Sequence, residues 1–181
     1  MDRLKVWFIE YPSPALPVLL EELRSIQTFA ALRPADRIII YLGVVFSEDA
    51  ISTGQVERHK EVLAALAPSV IQQRHLIAAF EWFCGKRHPQ LMKFFPVVLK
   101  QLFDEELVEE DVFLEWAGDL TRNEYSAEMS MIDSDTLELL KCSASMFITW
   151  LQEAEMEGEE SEEGEEDEEG EDDKDEELKE G

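Results

Sequence analysis

The chain has 181 residues, with 42 Asp and Glu against 16 Lys and Arg and a net charge of −26. That balance repels phosphate and excludes a general nucleic-acid binder, while favouring basic protein partners. Two cysteines without CxxC spacing argue against a disulfide framework, and no apolar run approaches the length of a membrane span.

The elements read as helix after helix. Residues 1–13 form an N-terminal extension. Pro14 and Pro17 then open a helix to about Leu32, with Leu16, Leu19, Leu20, Leu23 and Ile26 at helical spacing. Pro34 starts a second helix through Ile38–Phe46. Ser52 is the expected N-cap of a third, reaching Ala67. Pro68 opens a fourth, through Phe83, which Gly85 is expected to stop. The fifth runs from Pro89 to Phe103, with a kink or a break at Pro96 because proline lacks the amide donor. A short sixth covers Glu109–Trp116. After a polar stretch, Gly118–Asp133, a seventh runs from Ser134 to about Glu155. Ile38–Tyr41 and Val97–Leu99 have strand-like composition but lack period-2 alternation and have helical flanks. Six or seven helices joined by short turns predict an all-α fold, a HEAT-like stack of antiparallel helix pairs. Residues 14–156 are long enough for one ordered domain with a sizeable core.

Charge is unevenly spread. Residues 58–100 carry a net +5, residues 101–152 carry −11 and residues 153–181 carry −17. Residues 157–181, almost all Glu, Asp and Gly, hold too little apolar surface to offset chain ordering and read as a disordered acidic tail. Cys84 and Cys142 are expected as reduced thiols, in a cytosolic or nuclear compartment.

Two clusters set tryptophan and phenylalanine beside carboxylates: residues 103–116 and residues 147–157. Aromatics supply contact area and carboxylates supply charge, a combination suited to a lysine-rich partner segment. Trp116 follows Val112 by four residues and Val108 by eight, which places it in the core. Trp150 lies off the stripe Leu137, Leu140, Ala144, Phe147, Ile148 and Leu151, on a flanking strip with Leu139 and Met146; burial and partial exposure are both open to it. Glu109, Glu110 and Asp111 sit where carboxylates stabilise a helix N-terminus without any partner. That does not account for Asp104, Glu105, Glu106, Glu115, Glu153, Glu155 and Glu157. His59, His75 and His88 show no metal-ligand spacing, and no phosphate-binding glycine motif is present, so no enzyme activity, cofactor or metal is expected.

Taken together, residues 76–84, residues 95–116 and residues 147–157 with the acidic tail resemble the C-terminal domain of eukaryotic translation initiation factor 5. Similar domains close initiation factor 2B epsilon, initiation factor 4 gamma and a factor-5 mimic protein. The resemblance implies a cytoplasmic adaptor of preinitiation complexes. Its two boxes, Trp116 and Trp150 with the carboxylates above, would bind the lysine-rich boxes of the initiation factor 2 beta subunit. Initiation factors 1 and 3 are further implied partners, as is a part in holding GDP on factor 2. It also implies a second, basic docking face from Arg74, Lys86, Arg87, Lys93 and Lys100. Charge alone reads those side chains as ordinary solvated helix faces, or as intramolecular partners of the tail. The zinc ribbon and GTPase-activating arginine of factor 5 have no counterpart here, and the stretch between Trp116 and Trp150 is longer than the family usually has. Two rivals remain: a nucleotide-exchange domain of the factor 2B epsilon type, and a generic acidic chaperone for basic proteins.

Overall fold

The computed structural model describes residues 1–118 and 132–163, and side chains as far as residue 154 in the last helix. The described residues form helices and turns, without a strand. In chain order the helices are α1 (Asp2–Glu10), α2 (Leu16–Phe29), α3 (Asp36–Val45), α4 (Gln55–Arg58), α5 (Lys60–Leu66) and α6 (Val70–Trp82). A π-helical turn (Phe83–Arg87) and a 3-10 turn (Pro89–Phe94) follow, then α7 (Phe95–Asp104), α8 (Glu110–Gly118), α9 (Ser134–Ser143) and α10 (Ser145–Glu163). They stack as a HEAT-like array: α2 lies against α3, α3 against α6, and α6 against α7 and α8, while α10 closes over α7 and α8.

Helix α6 is the axis of the stack. Leu76, Ile77, Ala78, Ala79, Phe80 and Trp82 are all buried, so the helix is enclosed on every side from Leu76 onward. An all-round apolar helix is stable only in such a position. It also buries Gln73, Arg74 and Glu81.

Several local expectations change. Residues 1–13 contain α1, which seats Leu4 in the core against α2. Ser52 does not cap a helix: its Oγ donates to the Asp49 carbonyl within a turn, and α4 begins after Gly54, whose φ of 61° suits glycine. His59 then separates α4 from α5. The expected single helix Ser134–Glu155 is two, divided at the buried Ala144. The Pro96 break is as expected, with the proline in the first turn of α7, where a missing N–H leaves no helical bond unmade.

Gly85 does not stop a helix; it sits inside the π-helical turn. Its role is close approach: a Cβ there would lie 2.8 Å from Thr136 Cγ2 and 3.3 Å from Leu140 Cδ1 on α9. Thr136 cannot easily rotate away, because its Oγ1 and backbone N–H both donate to the Asp133 carboxylate that caps α9. Gly85→Ala is expected to cost about 1–3 kcal/mol by overpacking. Adding Thr136→Ser, which removes the clashing methyl and keeps the hydroxyl, should recover much of the loss in denaturant unfolding.

Acid sensitivity has a located source. Burial is the main force holding the imidazoles of His59, His75 and His88 below their ordinary range, with Arg58, Arg33 and Arg87 respectively adding repulsion. His59 Nδ1 and Tyr41 Oη share a 3.0 Å hydrogen bond, and burial keeps the Tyr41 phenol protonated. A lowered folded pKa means that the unfolded chain takes up protons first. The stability these groups provide is therefore complete above about pH 6.5, the ordinary histidine value, and declines as pH falls through their lowered folded values. Imidazole titrations by NMR should give midpoints below the ordinary value, and the melting temperature should drop over the same window.

Candidate acidic and aromatic binding site

The two clusters converge through their phenylalanines. Phe103 of α7, Phe113 of α8, and Phe147 and Trp150 of α10 form one aromatic group. Phe113 lies 5.2 Å from Phe147, and Phe103 lies 5.5 Å from Trp150, centroid to centroid and both edge-on. Edge-to-face pairs of this kind add to the burial of their rings. Residues 34 to 47 positions apart in sequence thus meet at the α7–α8–α10 junction, where Phe113 and Phe147 are buried and Trp150 reaches the surface.

The two tryptophans take opposite roles. Trp116 is fully buried, so it cannot touch a partner while the domain is folded, and it is removed from the binding set. Its indole N–H donates to Glu81 Oε1 at 2.6 Å, its ring packs on Phe95, and Lys141 lies over its face. Trp150 remains 44% exposed, on one groove with Met146 at 84%, and Leu139 on α9 is 59% exposed. The flanking strip read from helical spacing faces outward.

A helix stop of Schellman type presents the first set of carboxylates. The Glu106 N–H donates to the Phe103 carbonyl and the Leu107 N–H to the Leu102 carbonyl, with Glu106 in the left-handed region at φ 55°. Leu102 and Leu107 are buried by this turn, and Asp104 and Glu106 are left exposed. A non-glycine residue there costs stability. Asp111 and Glu115 are also exposed, as is Glu153, one helical turn beyond Trp150.

Other predicted carboxylates are engaged within the fold. Glu105 pairs with Lys60 at 3.0 Å. Glu109 is clamped by the buried Gln73: the Gln73 amide donates to Glu109 Oε1 at 2.8 Å, and the Glu109 N–H donates back at 2.9 Å. Glu110 is half-buried in the first turn of α8, with Oε1 enclosed and without a hydrogen-bond partner. The side chains of Glu155 and Glu157 lie outside the described residues.

The basic face is corrected in two places. Arg74 is buried, at 6% exposure. Lys100 belongs to the acidic site: its Nζ donates to Asp104 Oδ1 at 2.7 Å and lies 5.1 Å from the centre of the Trp150 ring. Lys86, Arg87 and Lys93 are exposed on the two turns between α6 and α7. Cys84 is buried, with its thiol pushed up to about 12 by desolvation, so it is not a reactive nucleophile. No group of side chains suited to a metal is found among the described residues.

Between α7 and α10 lies an open groove of about 450 Å³, lined by Pro96, Val97, Lys100, Gln101, Asp104, Met146, Phe147 and Trp150. Sequence reasoning missed it. Val97 and Met146 could have signalled it, as apolar residues on the outer faces of their helices.

A family profile described as W2: eIF4-gamma/eIF5/eIF2-epsilon matches residues 72–175. Eukaryotic translation initiation factor 5 of Zea mays is 30% identical over 139 residues, covering 76% of this chain and 28% of that protein. Probable eukaryotic translation initiation factor 5-2 of Arabidopsis thaliana is 28% identical over 159 residues, covering 84% of this chain and 33% of that protein. The chain therefore spans a third or less of the length of these relatives. Among solved structures, the C-terminal domain of translation initiation factor 5 at low pH superposes with a TM-score of 0.65 at 25% identity, covering 89% of this chain and 95% of that one.

Proposed function

The chain belongs to the W2 family of translation initiation factors, and on that premise we propose that it is a non-catalytic adaptor whose α7–α8–α10 surface captures lysine-rich segments of a partner factor. The observation that carries this reading is the half-exposed Trp150 set among exposed carboxylates of α7, α8 and α10. Lys100, whose ammonium rests between Asp104 and the Trp150 ring, is an ammonium already held on this surface from within the chain, and partner lysines would meet the carboxylates around it. The exposed carboxylates Asp104, Glu106, Asp111, Glu115 and Glu153 provide the attraction that speeds encounter. Trp150 and its aromatic neighbours provide contacts that slow release.

Among the initiation factors, the beta subunit of factor 2 best suits this chemistry, through its lysine-rich boxes. Factor 1 would meet the exposed cations Lys86, Arg87 and Lys93, and factor 3 is a further partner. Any part in holding GDP on factor 2 would follow from that capture. Within residues 1–181 the domain would be the segment 14–156 with α1 packed on it, and the cytoplasm its place of action.

The test is titration of a lysine-box segment into the chain with and without residues 157–181. An adaptor keeps most of its affinity without those residues. An acidic chaperone that works through its tail loses nearly all of it. Acceleration of nucleotide release from factor 2 by the chain alone would instead support the exchange reading.

A further inference from the structure

The groove between α7 and α10 has a chemistry that lysine capture does not explain. Its walls are Pro96, Val97, Met146, Phe147 and Trp150, and its polar groups are confined to Lys100, Gln101 and Asp104. Val97 is 44% exposed and Met146 84%, both on outer helix faces that the domain itself leaves uncovered. The volume of about 450 Å³ falls in the range of pockets that enclose a ligand group.

A cationic occupant fits poorly. Asp104 is the only carboxylate among the described residues that line the groove, and Lys100 already pairs with it at 2.7 Å. A second ammonium drawn down to Val97 and Met146 would lose water without gaining a counterion. An apolar side chain meets no such cost and would cover surface now in water. The surroundings still select for positive charge, because Glu106 follows α7 and Glu153 lies one turn from Trp150, both exposed.

We infer that this groove takes an apolar anchor, an aliphatic or aromatic side chain of a partner segment whose flanking residues are lysines. The inference rests on the adaptor reading and deepens it: the recognised segment is an apolar side chain set between cations, and lysine content alone does not define it. Charge brings the segment in. The anchor then fixes its register, because the lysines on either side of it are held at set distances from the groove. Gln101 lines the same groove with its Oε1 enclosed and without a hydrogen-bond partner, so a donor on the entering segment would find an acceptor there after a small rotation of the carboxamide.

The test compares two lysine-rich peptides of equal length and charge, one with leucine between the lysines and one with serine at that position. Each is titrated into the full chain by calorimetry, with the Trp150 indole N–H followed by NMR. The leucine peptide should bind about tenfold more tightly, the effect of burying one aliphatic side chain, and should shift the Trp150 signal further. Met146→Gln with Val97→Ser, both at exposed positions, should lower the leucine peptide to the affinity of the serine peptide. Equal affinities for the two peptides would overturn the anchor and leave the electrostatic adaptor standing. Failure of both to bind would remove the adaptor reading and the anchor with it. A concentration-dependent dimer that Met146→Gln dissociates, without discrimination between the peptides, would assign the groove to a second copy of the chain and overturn the proposal.

Discussion

Trp116→Ala should abolish most of the domain's stability, with a loss of about 3–5 kcal/mol from the cavity alone. The ring is fully buried, packs on Phe95 at 5.8 Å and lies under Lys141 at 5.5 Å. Its removal also takes from the fully buried Glu81 the indole donor at 2.6 Å, and loss of a donor to a buried carboxyl group adds to the cost. Domains of this size have about 5–15 kcal/mol in total. Trp116→Phe separates the two contributions. It keeps most of the volume, loses the donor and should cost about 1–3 kcal/mol. Urea unfolding of the two variants measures both. Partner binding lost by Trp116→Ala would therefore report unfolding, and only Trp116→Phe, held below its melting temperature, reports on the surface.

Trp150→Ala should do the opposite. The ring is 44% exposed, so its truncation removes contacts to Phe103 and Phe147 but opens no closed cavity. Secondary structure should persist by circular dichroism. Affinity for a lysine-rich segment should fall by about 2 kcal/mol or more, as for an aromatic anchor at an interface. The residual binding should be more sensitive to salt than that of wild type, because charge alone would then hold the complex. Trp150→Phe should recover part of the affinity, since it restores an aromatic wall but a smaller one.

Half of the contrast between these tryptophans was legible in the sequence. Helical spacing put Trp116 in the core with Val112 and Val108, as the structure has it, and put Trp150 off the core stripe while leaving its exposure open. The Pro96 break was legible for a local reason, the missing amide. What sequence missed depends on tertiary enclosure. Arg74 read as part of a basic face by its charge, yet α6 buries it. The division of α9 from α10 at Ala144 left no mark, because Leu137, Leu140, Phe147 and Leu151 keep their period across it. Helix α1 was passed over because its apolar residues surround it: Leu4 is buried, while Val6 and Ile9 face out. Lys100 was grouped with a basic face by regional charge, although its i,i+4 spacing from Asp104 already pointed to a pair.

Convergence of the two clusters was the least visible feature. It depends on Phe103, Phe113 and Phe147 meeting across three helices, and on a helix stop that turns Asp104 and Glu106 outward while Leu107 turns inward. Glu106 in the left-handed region, where glycine would be more stable, fits a position held for its charge.

The most direct measurement is calorimetric binding of one lysine-box segment to three forms of the 181-residue chain, wild type, Trp116→Phe and Trp150→Ala, each at a temperature where circular dichroism shows it folded. The account predicts wild-type affinity for Trp116→Phe and a loss of about tenfold or more for Trp150→Ala. Unchanged binding by Trp150→Ala, or a loss confined to Trp116→Phe, would contradict it and move the partner surface away from the α7–α8–α10 junction.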